Sequence, residues 1–327
     1  MNQFTFGILT YNQENYILET LESIKYQKMM YGKNIDVFLI IADDASKDRT
    51  VNVIKQWLAK NEIHFAGVEL IENKQNQGTV ANFCTILEKN GKRFLKILAG
   101  DDLIGQCNLF QEYNDLDDKK LKSYFRVELH DGRIEYREKY LVDFYYHMKH
   151  SDGRDYNLKN FRRGRFLHTP STIYTKQLYE NADCEENLKG YRLFEDDPMW
   201  YSMLKNEKDL MIEFVPKGIV LYRVHDASVS NVPNPVFRND IKRLREQYLN
   251  ETKGLEKLYF FIRKYTHNMP MYFNPGLYID KMINMRREWI CKKDPGYGAF
   301  KEKIEQQIRH EQKYYELILA RAAVENN

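Results

Sequence analysis

The chain has 327 residues, 43% hydrophobic and 30% charged, which suits a large folded core and excludes a disordered or fibrous protein. Fifty basic and 47 acidic residues leave a net charge of +3, too small a surplus to mark a nucleic-acid-binding protein. The four cysteines (Cys84, Cys107, Cys184 and Cys291) are scattered and form no CxxC pair, which argues for reduced, buried thiols over a zinc site or disulfide framework.

The opening MNQFTFGILTYNQENY lacks a charged segment followed by a long apolar one, so it does not read as a signal peptide. No apolar run approaches the roughly 20 residues that span a bilayer. The expected location is the cytoplasm, with the cytoplasmic face of a membrane as the alternative.

Strand and helix signals alternate over the first hundred residues. FTFGILT (4–10) is a short apolar run, and ENYILETLESIKYQ places Ile17, Leu18, Leu21 and Ile24 at helical spacing. DVFLIIAD (36–43) is nearly continuous in apolar residues, as expected of a parallel strand covered on both faces. Ser46 stands where a cap is expected ahead of the helix TVNVIKQWLAK (50–60). VELIEN (68–73) and FLKILA (94–99) read as strands flanking the helix TVANFCTILEK (79–89). This order predicts a parallel, right-handed α/β sheet, which binds ligands beyond the carboxyl ends of its strands. Polar clusters lie at three of those ends: Thr10 to Asn12, Asp43 to Ser46, and Gly100 to Asp102.

Beyond residue 120 the alternation weakens, with one strand expected at KSYFRVEL. Arg162, Arg163 and Arg165 offer a basic loop, to be met by an anionic acceptor, a lipid phosphate or solvent alone. RLFEDDPMWYSML (192–204) reads as a carboxylate-bearing turn and a helix with Pro198 in its first turn, and GIVLYRVHDASVS (218–230) as a strand ending in polar groups. A boundary near the PNP at residue 234 divides a catalytic region, 1–232, with its acceptor side at about 120–232, from a helical region, 233–327. Within the latter, MYFNPGLYIDKMINMRREWICKK (271–293) mixes aromatic and apolar residues with basic ones. Packing on the catalytic domain or on a second copy is the leading reading, and contact with an anionic membrane the other.

The chain lacks GxxxxGK[ST], a GxGxxG after the first strand, GxSxG and HExxH. Acidic strand ends suit instead a diphosphate held through a hard divalent cation. In this order GILTYNQENYILETLESIKYQ, IIADDASKDRT, NQGTVANF, ILAGDD, FEDDPMW and YRVHDASVS resemble family 2 of the inverting nucleotide-sugar glycosyltransferases, over residues 4 to about 230. The resemblance implies a GT-A fold, a Rossmann-like, mainly parallel sheet flanked by helices, here with a helical C-terminal appendage. It implies a hexosyltransferase-class enzyme that takes a UDP-sugar to a glycan or lipid-linked glycan, for a surface polysaccharide such as capsule or lipopolysaccharide.

Carried onto this sequence, the resemblance sets Thr10, Tyr11 and Asn12 along the nucleotide, with Asp44 near its base and Asp43 among the nucleotide-binding residues. Asn76 and Gly78 shape the pocket, and Gly78 also suits a turn before a helix. Asp101 and Asp102 contact ribose and a Mn²⁺ or Mg²⁺ ion, with His225 as a further metal contact and Arg223 on the phosphates. The chain departs from the family's DxD signature, because Ala99 stands at its first Asp, and this leaves the ligand open between Asp101 and Asp102. The catalytic base is expected at Asp196, with Glu195 beside it and Asp197 in reserve. His168 is expected in the core or at the acceptor pocket. Two alternatives remain: a sugar nucleotidyltransferase, for which the N-terminal phosphate loop is missing, and a catalytically silent GT-A scaffold, to which Ala99 lends support.

Overall fold

The structure, a computed structural model, describes residues 2–164, 166–225, 234–266 and 274–325. Arg165, the DASVS tail, the boundary at 232/233 and residues 271–273 of the apolar-basic stretch lie outside them.

The four apolar runs form β1 (Gln3–Thr10), β2 (Asp36–Asp43), β3 (Gly67–Glu72) and β4 (Leu95–Ala99), separated by α1 (Ile17–Tyr31), α2 (Thr50–Asn61) and α3 (Thr79–Lys89). All pairings are parallel and the order is β3-β2-β1-β4. The chain therefore winds outward from β1 through β3 and then returns to its other side, so the switch point falls between β1 and β4. Alternate residues of β1 and β2 (Phe4, Phe6, Ile8, Val37, Leu39, Ile41) pack with Ile17, Leu21, Ile24 and Trp57 on one face. The opposite face packs Ile40 and Ala42 against Phe83 and Ile86 of α3.

Two local expectations are corrected. Ser46 does not cap α2, which starts four residues later; its backbone amide donates to Asp43 Oδ1 (2.9 Å), and Asp48 instead accepts from Thr50 N (2.9 Å). KSYFRVEL is two strands, in different sheets. Lys120–Tyr124 runs parallel to Met211–Val215 and antiparallel to Thr172–Ile173. Val127–His130 pairs with Val220–Val224 and Arg133–Glu135, and Leu103–Ile104 closes that sheet by pairing antiparallel with Val220–Val224. The last pairing brings the chain just after Asp101 and Asp102 beside the strand leading to His225.

Four helices follow, Pro235–Glu251, Gly254–Thr266, Pro275–Lys293 and Gly296–Glu325. The last lies back across the sheet region: Tyr314 and Ile318 pack with Leu103, Leu129 and Leu221, and Ala322 joins the core under α1. Buried Glu22 of α1 accepts from Trp57 Nε1 (2.7 Å) and Arg321 Nε (3.1 Å), and Lys25 bonds Glu325 (2.7 Å).

Glu311 of that helix accepts from Gln106 N (2.9 Å) just beyond the acidic loop, and burial pushes its carboxyl from 4.5 up to about 7. Between these values the unfolded chain releases the proton while the folded chain keeps it, so this residue lowers stability as pH rises. Glu311→Gln should therefore raise stability at pH ~8 by up to about 3 kcal/mol and leave it unchanged at pH ~4. Denaturant unfolding at both pH values checks this; a difference that does not vary with pH rejects it.

Candidate active site

The carboxyl ends of β1 and β2 are laced by their own polar side chains. Thr10 and Asp43 are register partners, and Thr10 Oγ1 donates to Asp43 Oδ2 (2.9 Å). Asn12 N donates to Ser46 Oγ (2.8 Å) and Lys47 N donates to Asn12 Oδ1 (2.8 Å), with Asn12 and Ala45 both in the left-handed region (φ 53 and 64). Asp44 is buried, and its carboxylate accepts from Gln77 N (2.7 Å), Gly78 N (2.8 Å) and Asn73 Nδ2 (3.2 Å). It therefore clamps the NQG loop to the end of β2. Gly78 has φ 93, and a Cβ there would lie 2.5 Å from the Arg192 carbonyl oxygen, so two constraints demand glycine. Tyr11, Asn12 and Asn76 remain exposed along this rim.

The acidic loop after β4 is held from below by one buried stripe of α1. Thr20 Oγ1 donates to Gly100 O (2.9 Å), Ser23 Oγ accepts from Ile104 N (3.1 Å), and Gln27 Nε2 donates to Cys107 O (2.8 Å). Residues 20, 23 and 27 share a face at helical spacing. Arg223 holds the loop from the side. Its backbone amide donates to Asp102 Oδ1 (2.9 Å), its Nε to the Asp101 carbonyl (2.8 Å), and its Nη2 to Glu19 (2.5 Å). With its guanidinium spent on these groups and packed over the ring of Tyr16 (4.6 Å), Arg223 is placed as a brace.

Asp102 is 1% exposed, and its Oδ2 has no hydrogen-bond partner among the described residues. Burial, and then the charge of Asp101, raise its carboxyl well above the usual range. Asp101 is the more open of the two, and its Oδ2 lies 2.9 Å from His225 Nε2, whose ring stacks on Tyr16. These groups fit a shared cation site better than a closed one. Among the described residues no three His, Cys, Asp or Glu side chains are arranged to hold a metal. Asp101 and His225 supply two donors, with Asp102 behind them, and a phosphate-bound cation commonly takes one or two protein carboxylates.

Glu195 and Asp196 open the helix Asp196–Asn206, and buried Asp240 fixes the approach by accepting from Arg192 N (3.0 Å) and Leu193 N (2.8 Å). Burial and the charge of Asp196 raise Glu195 well above the usual range, and the two side chains are hydrogen-bonded. Asp197 is buried in the first turn.

Two residues that the sequence reading passed over tie this cluster to the first. Buried Lys96 donates to the Pro170 (2.7 Å) and Thr172 (3.0 Å) carbonyls; burial lowers its ammonium to about 7 against the opposing pull of Asp102 and Asp196. Tyr222, raised by burial, senses Asp102, Asp101 and Asp196. The acidic motifs thus converge around one lysine and one tyrosine. A lone cation inside LKILA was a readable signal for Lys96; Asp240 had none. His168 bonds Ser171 Oγ (2.9 Å) and meets Tyr222 edge-on, while Arg162 is braced on Tyr201 (3.2 Å).

Residues 5–118 match the family model described as glycosyl transferase family 2. Rv1520, an uncharacterized protein of Mycobacterium tuberculosis, is 26% identical over 218 residues, 66% of this chain and 57% of that protein. The chain thus spans a little over half the length of this curated relative. Abequosyltransferase RfbV of Salmonella typhimurium is 31% identical over 105 residues, 32% of this chain and 30% of RfbV. S. aureus TarS 1–349, solved in complex with UDP-GlcNAc, superposes with a TM-score of 0.55 at 14% identity, covering 97% of this chain and 92% of that one. Residues 5–118 are thus similar to glycosyl transferase family 2, and the helix-flanked parallel sheet has a GT-A-like fold.

Proposed function

We propose that the protein is an inverting transferase that moves a sugar from a UDP-linked donor to a hydroxyl of a glycan or lipid-linked glycan. The observation that carries this reading is the meeting of the Asp101–Asp102 loop, at the sheet's switch point, with Asp196 beside Lys96 and Tyr222. The complexes of TarS with UDP-GlcNAc and with UDP support the choice of donor.

In this reading Tyr11, Asn12 and Asn76 line the nucleotide, and the clamped carboxylates of Asp43 and Asp44 shape its floor. A Mn²⁺ or Mg²⁺ ion at Asp101 and His225, when bound, neutralises charge on the departing diphosphate. The acceptor oxygen bonds to the anomeric carbon as the bond to the diphosphate oxygen breaks, and that electron pair leaves with the diphosphate. Asp196 takes the hydroxyl proton. Glu195 lies beside Asp196, and burial together with that neighbour's charge raises its carboxyl well above the usual range, which favours its protonated form next to the base. A base facing the acceptor side gives inversion because attack and departure occur on opposite faces of the sugar.

Asp196→Asn should lower turnover of the UDP-sugar by ~10²–10⁴-fold while leaving UDP affinity, read by calorimetry with Mn²⁺ present, unchanged. Undiminished turnover would move the base elsewhere. Failure of the wild-type chain to bind UDP, GDP, CDP or dTDP, with or without Mn²⁺, would instead favour a silent scaffold.

Asp44→Ala tests the pocket floor separately. It strips three donors of a buried acceptor and should cost about 2–4 kcal/mol of stability without any nucleotide present. An unaltered urea midpoint would mean that Asp44 serves the ligand alone.

A further inference from the structure

We infer that the paired helices Gly254–Thr266 and Pro275–Lys293 form a docking surface for an anionic lipid membrane. Nine of the 17 exposed large apolar side chains among the described residues lie on these two elements. On the first they are Leu255, Leu258, Phe261 and Tyr265, and Leu255 and Leu258 border an apolar groove that continues to Ile279 and Ile283 of the second. On the second, Tyr278, Met282, Met285 and Trp289 recur at intervals of four, three and four residues, which sets them on one helical face. Trp289 is 59% exposed and Met282 70%. Exposed apolar patches on this scale mark an interaction site.

Charge decides what the occupant is. The two helices carry eight basic residues and three acidic ones, a surplus larger than the net +3 of the whole chain. All three acids are at least half-covered and paired: Glu256 faces Arg162 (3.5 Å), Asp280 faces Arg263 (2.8 Å) and Glu288 faces Lys292 (2.6 Å). Every exposed charged residue on the two helices is therefore a cation, and Lys257, Lys281 and Arg286 have no carboxylate partner among the described residues. A second copy docked face to face would oppose these cations with its own, at a cost in like-charge repulsion. Tyr and Trp rings flanked by lysine are the side chains that settle at a lipid headgroup boundary, apolar part inward and charge outward. Lys293, stacked over Trp289 at 4.1 Å, already has that arrangement.

The test mixes the full chain with vesicles of phosphatidylcholine alone and with vesicles containing phosphatidylglycerol, and follows cosedimentation and tryptophan emission. Trp57 (2% exposed) and Trp200 (0%) are buried, so a change in emission reports Trp289. Only the anionic vesicles should carry the protein down, with a blue shift, and rising salt should release it. The double variant Lys281→Glu/Arg286→Glu should weaken vesicle binding by about 30-fold or more, while its melting midpoint stays at the wild-type value. Absence of binding to anionic vesicles at low salt overturns the proposal. So does self-association in sedimentation velocity that buries Trp289 and disappears in Trp289→Ser, which would assign the face to a second copy.

Discussion

Arg223 is the tie on which the rest of the site depends. One side chain and its own amide engage the Asp101 carbonyl, the Asp102 carboxylate and Glu19, and so bind the strand Val220–Val224 to the acidic loop and to α1. Its ring neighbours are Tyr16 and, 6.0 Å away, Tyr315 of the last helix. A buried arginine is tolerable only where its donors meet acceptors, and here they meet carbonyl and carboxylate oxygens supplied by separate parts of the chain. The loop of the two adjacent carboxylates is held in front of the sheet's switch point by the Arg223 Nε at the Asp101 carbonyl and by the Arg223 amide at the Asp102 carboxylate.

A division of labour follows. Buried Asp43, Asp44, Asp102, Arg223 and Asp240 hold backbone, whereas Tyr11, Asn12 and Asn76 stand exposed and Asp101 and His225 are partly covered and bonded to each other. Asp101 and His225 thus sit one and two positions from covered Asp102 and Arg223, while Asn12 and Asn76 lie on loops tied down by Asp43 and Asp44. Such pairing preorganises a polar rim without asking exposed side chains to hold themselves.

The four parallel strands and their helices were legible in the sequence because covered strands read as unbroken apolar runs, and DVFLIIAD matches β2 from end to end. The split of KSYFRVEL was not, because a change of sheet between Tyr124 and Val127 depends on partners 90 residues away, at Met211–Val215 and Val220–Val224. The acidic and polar strand ends were found as clusters, yet which members face a ligand and which hold the loop could not be read from residue type. Asp44 and Arg223 show why: both carry the charge that nucleotide recognition wants, and both have that charge engaged by local backbone or by a distant carboxylate. Ser46 failed as a cap for a similar reason, since Asp48 offered a carboxylate nearer the first free amides of α2.

The helix Gly296–Glu325 reaches back to α1 across nearly the whole chain: Lys25 pairs with Glu325, 300 residues away, and Arg321 with Glu22. Contacts of such separation form only after a long loop has closed, and that entropy must be met before they add stability. The parallel unit β1–β4 pairs across shorter separations, 90 residues between Thr5 and Leu95, whereas the supports of the acidic loop at Gln106 and Tyr315 arrive from the final helix, with 205 residues between Gln106 and Glu311. Docking of the last helix is therefore the closure with the larger entropy cost, and the reactive edge has its rigid form only once that helix is in place.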